Sequence, residues 1–311
     1  MDLLLVGLSA FARRRVLPAA ASLPGVTAVD IASRHATPDD VAGLPKSRAL
    51  YGDWRKALTE CPPGLAYVSL VNAEHAAAVR EALERGWHVV VDKPALYDPY
   101  GVAELVELAR RSSLVLAEAT CYAFHPMFSV VREFAADATK AVAVFTPPVP
   151  VGDFRHDAVR GGGALLDTGP YLASLGRVLW GLEPQELSVV VGERAGDGAV
   201  LSYSVLGRYA GGRTVVGHFG FTSVYRNTLQ LLSARAAVDV ERPFSMPPGP
   251  ETAVSVRDGD GERVLRVPPA DSMALFLDAV LSAVRTGSRE FDAAALSDAR
   301  ALERLVRAAV V

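Results

Sequence analysis

The sequence predicts an α/β protein: an N-terminal doubly wound parallel sheet, then an α+β domain on an open-faced, mostly antiparallel sheet. Three observations support this. Short Val- and Leu-rich runs alternate with helical patterns through about the first 120 residues, as expected when strands cross over to parallel partners. From about residue 139, longer runs follow one another through turns such as Ala210-Gly211-Gly212, so consecutive strands should pair antiparallel. The length, 311 residues, exceeds one typical core and favours two domains. These are placed at residues 1–120 and 121–311, with the last helix free to pack back on the first domain.

In the first domain, apolar runs at 2–6, 26–32, 65–70, 87–91 and 114–117 read as strands. Segments 12–23, 73–85 and 100–112 carry apolar residues at helical spacing; Gly86 stops the second and Asp98-Pro99 opens the third. In the second domain, strands are expected at 140–146, 186–193, 199–209, 213–221, 227–234 and 236–242, with Gly249, Gly259 and Gly261 marking loops around a late hairpin. Helices 164–180, 270–286 and 293–310 should cover one face. Val200, Tyr203, Val205, Val216, Phe219 and Leu231 make the other face more apolar than water requires, which points to a homo-oligomer, dimer or tetramer, formed through it.

Composition narrows the functional classes. Half of the residues are hydrophobic and 22% are charged, with a formal net charge of −3. That balance argues against nucleic acid or an anionic membrane as the main partner. No apolar run reaches the ~18 residues that span a bilayer. Asp2 precedes the apolar start and Arg13-Arg14-Arg15 follows it, the reverse of a secretory signal. Cys61 and Cys121 lack metal-ligand spacing and are too few for a disulfide framework. A cytoplasmic protein without a metal site is expected.

After the first strand comes Gly7-Leu8-Ser9-Ala10-Phe11-Ala12. Gly7 suits the tight turn, Ser9 stands where a glycine would let pyrophosphate approach, and Ala12 is small enough for helix packing. A plain strand-to-helix turn is the competing reading, although a helix start offers N–H groups and a positive dipole end to phosphate. The second strand ends at Ser33-Arg34-His35, with Asp30 too early to bind a ribose hydroxyl. A hydroxyl and a guanidinium suit a 2′-phosphate, so NADP(H) is preferred, with NAD(H) as the alternative.

Lys93, between Asp92 and Pro94, closes the run Trp87 to Val91, and ligands of parallel sheets bind beyond the carboxyl ends of strands. Asp92 and Lys93 are either an ordinary polar strand end or a site where an ammonium binds an anion, polarises a carbonyl or relays a proton. The segment Gly161-Gly162-Gly163-Ala164-Leu165-Leu166-Asp167-Thr168-Gly169-Pro170-Tyr171 opens a helix. Its glycines permit backbone approach to a ligand, and Asp167 and Tyr171 share one face if the helix is regular. Tyr171 and Lys93 are then expected to meet at the crevice between domains. Ketone reduction needs hydride at carbon and a proton at oxygen, and a phenol gives its proton up more readily beside an ammonium.

On these residues the chain resembles the glucose-fructose oxidoreductase, inositol dehydrogenase and rhizopine catabolism protein family. The resemblance runs through the Gly7 loop, Tyr67-Val68-Ser69-Leu70-Val71-Asn72-Ala73-Glu74-His75, Asp92-Lys93-Pro94, Glu118 to Pro126, and Gly161 to Tyr171. It implies a Rossmann domain joined to an open-faced α/β domain, with Lys93 as the lysine of a Glu-Lys-Pro motif and Tyr171 in the branch whose catalytic helix carries Tyr. Ala12 to Ala19, Tyr225-Arg226-Asn227, Arg242 to Pro248 and Pro268 to Asp271 look like segments of 3-ketoreductases of deoxysugar biosynthesis, which act on dTDP-linked keto sugars with NADPH. Asp92 for Glu, Val71 for Pro and Ser9 for Gly are departures from the pattern.

The resemblance implies that Leu70, Asn72 and His75 line the nicotinamide pocket together with Asp92 and Lys93. His125 is either a substrate contact or hinge packing. Arg155 and His156 could touch a sugar or its phosphate, or form a solvated loop, and Arg13-Arg14-Arg15 on the first helix is either a solvated face or a contact to diphosphate or substrate through one Arg. The substrate-binding set is Lys93, His125, Arg155, Asp167, Tyr171 and Tyr225. The function expected is NADPH-dependent reduction of a nucleotide-linked keto sugar, at C3, with the proton from Tyr171 assisted by Lys93. Oxidation of a free sugar or cyclitol, reduction of another carbonyl or imine, or an inactive cofactor- or sugar-binding protein are the alternatives.

Overall fold

A computed structural model describes residues 1–310. Two compact units are present: Met1–Ala119 with Met273–Leu296, and Thr120–Ser272 with the chain from Ser297 onward.

The first unit is built on six parallel strands: β1 (Leu3–Val6), β2 (Val29–Ala32), β3 (Ser47–Tyr51), β4 (Leu65–Val68), β5 (His88–Val91) and β6 (Leu116–Glu118). Their spatial order is β3-β2-β1-β4-β5-β6, so the direction of winding reverses between β1 and β4. Strands β1, β2 and β4 are buried along their whole length, as expected of a sheet covered on both faces. The intervening helices are α1 (Leu17–Ser22), α2 (Pro38–Val41), α3 (Trp54–Glu60), α4 (His75–Glu84) and α5 (Pro99–Arg111). A single π-turn, Ala12–Val16, precedes α1, with the Leu17 N–H on the Ala12 carbonyl. Asp53 and Asp98 cap α3 and α5 through side-chain bonds to first-turn N–H groups.

Strand β3 lies outside the expected set. It is an edge strand with partly exposed residues, so it lacks the apolar run that marks its neighbours. Arg48 on β3 closes a two-point bond on the buried Asp30 of β2, at 2.6 and 3.1 Å.

The second unit carries an eight-stranded sheet: β7 (Lys140–Phe145), β8 (Glu186–Val191), β9 (Ser202–Tyr209), β10 (Arg213–Gly220), β11 (Asn227–Leu232), β12 (Ala236–Glu241), β13 (Thr252–Asp258) and β14 (Gly261–Val267). The order is β14-β13-β12-β11-β7-β10-β9-β8, with β7 and β10 parallel and every other pair antiparallel. Over one face lie α6 (Met127–Ala135), α7 (Gly163–Asp167), α8 (Gly169–Trp180) and the later part of α10 (Glu290–Ala308), sharing a core that includes Phe128, Leu172, Leu175, Leu305, Tyr203 and Phe219. Burying each such side chain is worth about 1.5–3 kcal/mol.

Three expectations are corrected here. Residues 121–311 are not one block: α9 (Ser272–Thr286) belongs mostly to the first unit. Within the first unit, Phe276 meets Phe291 edge to face at 5.9 Å, and Arg289 donates to the Leu114 carbonyl at 2.6 Å. Second, helix 164–180 breaks at Thr168, because Pro170 has no N–H with which to continue the ladder. Third, Val200, Tyr203, Val205, Phe219 and Leu231 are buried on the helix side, leaving only Val216 of the expected interface set outside. Strand residues alternate faces, and the outer face instead carries Val190, Leu206 and Val216.

Candidate functional site

In the first unit the loops after β1 and β4 meet at the reversal of winding, where doubly wound sheets hold dinucleotides. Gly7 has φ +93°, and a Cβ there would lie 2.3 Å from the Ser69 carbonyl oxygen, so only glycine fits. Ala10 and Phe11 enter the first helical turn, where N–H groups lack a partner from a preceding turn of helix. The Ala12 N–H is held by Ser9 Oγ at 2.9 Å and the Arg13 N–H by the Ser9 carbonyl at 2.9 Å. These residues fit a dinucleotide pyrophosphate.

Ser33 and Arg34 follow β2. Arg34 is exposed and lies 3.3 Å from Glu74, across the loop after β4. Beyond β5, Asp92 and Lys93 are half-buried and Lys93-Pro94 is a cis peptide. The Asp92 carboxylate accepts from the Tyr67 phenol at 2.7 Å and the Ser69 hydroxyl at 2.6 Å. Ser69 in turn meets Ser9 at 2.8 Å. His75 is fully buried; Nδ1 is 2.8 Å from the Pro94 carbonyl and Nε2 is 3.2 Å from the Leu70 carbonyl. The ring thus packs between the loop carrying Leu70 and Asn72 and the Lys93-Pro94 segment, with a carbonyl facing each nitrogen. Glu118 accepts from the Ala95 N–H at 2.8 Å, steadying the same turn. Sequence reasoning named Ser9, His75 and Asp92 but missed Tyr67 and Ser69, whose hydroxyls sit among apolar strand residues.

In the second unit Tyr171 stands in the first turn of α8, against Phe145 (centroids 4.9 Å apart), Phe244 (5.4 Å) and Tyr122 (5.7 Å). Tyr122 is buried, bonds Ser174 at 2.8 Å, and has its pKa pushed well up by burial. Tyr171 is half-buried and so is the phenol of this cluster that a ligand can reach. Its aromatic neighbours come from β7 and from the segment after β12, and periodicity does not reveal them. Arg177, two turns along α8, closes on the buried Asp298 of α10.

Asp167 lies 3.4 Å from Arg155, which also bonds Asp153 at 2.9 Å. The Arg155 cation is thus shared by two carboxylates. The glycines before Asp167 serve chain packing: a Cβ on Gly161 would strike the Phe154 carbonyl at 2.4 Å, and one on Gly163 the Val200 carbonyl at 2.4 Å. The expectation that they admit a ligand gives way to this close backbone crossing.

His125 is 2% exposed; its Nδ1 accepts the Met127 N–H at 3.2 Å and its Nε2 has no partner. Burial lowers its pKa, against a smaller opposing pull from Asp271. Tyr225 meets Ser245 and Asn227 at 3.3 Å, beside Arg242. Burial raises the Tyr225 pKa, but those hydrogen bonds and the Arg242 charge outweigh it and leave the phenol below its ordinary value. Among the described residues no group of three or more His, Cys, Asp or Glu is placed to hold a metal ion. Nor is any helix long and apolar enough to cross a membrane.

A sheet reversal with a glycine turn at its switch point, joined in one chain to a mostly antiparallel unit with a tyrosine-bearing helix, defines an NAD(P)-dependent oxidoreductase of two parts. The chain belongs to the GFO/IDH/MocA family: residues 1–120 match its NAD-binding Rossmann model and residues 137–239 its C-terminal domain model. It is 30% identical over 300 residues to a dTDP-3,4-didehydro-2,6-dideoxy-alpha-D-glucose 3-reductase of Saccharopolyspora spinosa, covering 94% of this chain and 90% of that one. An enzyme of the same name from Streptomyces violaceoruber is 31% identical over 288 residues, covering 90% and 84%. Among solved structures, a 3-ketoreductase from Actinomadura kijaniata in complex with NADP and TDP-benzene superposes with a TM-score of 0.89 at 26% identity, covering all of this chain and 97% of that one.

Proposed function

We propose that the protein reduces the 3-keto group of a dTDP-linked deoxysugar with NADPH. The observation that carries this is similarity to 3-reductases over 94% of the chain, which includes the second unit as well as the common cofactor unit. NADPH, when bound, supplies the hydride that reaches the carbonyl carbon. The loop Gly7, Ser9, Ala10, Phe11 and Ala12 holds the pyrophosphate, Ser33 and Arg34 the 2′-phosphate, and Leu70, Asn72 and Asp92 flank the nicotinamide. Tyr171 donates the proton that the reduced oxygen needs, and the Lys93 ammonium stabilises the charge that gathers there. His125 and Tyr225 contact the sugar nucleotide, and Asp167 holds the Arg155 guanidinium.

Positioned acid catalysis contributes about 10²–10⁴-fold, so Tyr171→Phe and Lys93→Ala should each lower kcat by that order in an NADPH oxidation assay on dTDP-3-keto sugar. Wild-type turnover in both variants would sink the mechanism. Free keto sugars should turn over poorly beside their dTDP forms, since the nucleotide supplies binding energy; equal kcat/KM would overturn the substrate assignment.

We further infer a homo-oligomer formed through the outer face of the second sheet, where Leu206 and Val216 are half-exposed neighbours across β9 and β10. Leu206→Glu should yield a smaller species by light scattering, and an unchanged mass would exclude this face. We infer a cytoplasmic setting from the likeness to biosynthetic 3-reductases over 94% of the chain.

A further inference from the structure

Two of the departures from the family pattern, Ser9 and Asp92, are the two ends of one hydrogen-bonded chain. Asp92 extends β5 by one residue and donates its N–H to the Val68 carbonyl at 2.9 Å. Its side chain thereby lies beside those of Tyr67 and Ser69, which share one face of β4 by their spacing of two. The Ser69 hydroxyl donates to Asp92 Oδ2 at 2.6 Å. Its single hydrogen is spent there, so in the 2.8 Å contact with Ser9 it accepts and Ser9 donates. Ser9 Oγ also accepts the Ala12 N–H at 2.9 Å. The direction of the chain is therefore settled from end to end: Ala12 N–H to Ser9, Ser9 to Ser69, Ser69 to Asp92. Tyr67 occupies the other carboxylate oxygen at 2.7 Å.

Two consequences follow. The Ser9 hydrogen is committed within the protein, so this hydroxyl offers a phosphate no donor. The residue next to Lys93 is held from two sides by buried hydroxyls, and a bond to a charged group is worth more than a neutral one.

We propose that Ser9, Ser69 and Tyr67 are positioning residues that tie the pyrophosphate loop and the Lys93 backbone to one carboxylate, Asp92. This deepens the assignment above and rests on it. A serine in place of glycine and an aspartate in place of glutamate are then one matched pair, with Tyr67 and Ser69 filling the space between them.

The test separates the chain from the reaction by titrating NADPH fluorescence without substrate. Ser9→Ala and Ser69→Ala should each weaken NADPH binding by roughly three- to ten-fold, and the double variant should be no weaker than the worse single one, because both remove the same link. Ser9→Gly should match Ser9→Ala, showing that the hydroxyl and not backbone stiffness matters. Tyr67→Phe should leave NADPH binding unchanged while kcat falls and KM for the keto sugar holds. Effects of Ser9→Ala and Ser69→Ala that multiply, or full kcat in Tyr67→Phe, overturn the proposal with the reductase reading intact. A wild-type protein that binds no NADPH overturns both.

Discussion

Arg177 closes a two-point bond on Asp298, Nε to Oδ1 at 2.7 Å and Nη2 to Oδ2 at 2.6 Å, across 121 positions of sequence. Asp298 is buried, and burial raises its pKa against the pull of Arg177. The bond fixes α8, and with it Tyr171, against α10. Removing one partner of a buried pair costs about 3–5 kcal/mol, and the Arg177 side chain, 25% exposed, places this pair at the low end. Asp298→Ala should therefore lose about 3 kcal/mol in urea unfolding. Arg177→Met with Asp298→Leu should recover part of it, since an apolar replacement leaves no orphaned charge.

The turn after β1 allows a sharper test. At Gly7 a methyl group would overlap the Ser69 carbonyl and adopt φ +93°, a strain of about 1–3 kcal/mol. Gly7→Ala should lower the unfolding midpoint and weaken NADPH binding by more than about ten-fold. Gly52→Ala, where nothing lies within 4 Å of the new methyl, should leave both unchanged. Equal behaviour of the two variants in the titration would remove Gly7 from the cofactor site.

Much of this was readable from residues alone where one side chain or one spacing decided the outcome. Gly7 and Lys93 stand at the ends of continuous apolar runs, so their positions follow from strand polarity. The break after Asp167 was also present in the letters, since Gly169-Pro170 cannot continue a helix. Strand β3 escaped because an edge strand needs no apolar run, and its decisive contact is Arg48 on Asp30. Phe145 and Phe244, which flank Tyr171, are distant in sequence, and the pairing of β7, β11 and β12 brings them together. Tyr67 and Ser69 read as strand residues until Asp92 is seen between them.

Acid should destabilise the protein through two histidines. In both His88 and His125, Nδ1 accepts a backbone N–H, from Val115 at 3.0 Å and Met127 at 3.2 Å. A protonated ring would set N–H against N–H. Burial lowers both pKa values, with the Arg289 charge adding to it at His88 and Asp271 opposing it at His125. The folded state then binds fewer protons than the unfolded one, so stability rises with pH. The contribution is complete above the unfolded histidine pKa, about 6.5, and is lost as pH falls through the lower folded values. The thermal midpoint should drop between about pH 7 and pH 5, and His125→Gln should flatten that drop. A variant with the wild-type slope would clear His125 of the effect.

The proposed hold of Arg34 on the 2′-phosphate makes cofactor choice depend on its pair with Glu74. The pair is exposed, 66% and 40% at the two side chains, with 3.3 Å between them. Such a pair is worth at most about 1 kcal/mol, so it orients Arg34 without locking it. A 2′-phosphate offers a dianion to the guanidinium fork and should displace Glu74 from it. Arg34→Ala should therefore raise KM for NADPH about ten-fold, the loss of a charge-assisted contact, while KM for NADH stays level. Glu74→Gln should lower KM for NADPH modestly, because a competing carboxylate is gone, and added salt should narrow the difference. If the ratio of kcat/KM for NADPH over NADH is the same in wild type and Arg34→Ala, the 2′-phosphate is held elsewhere.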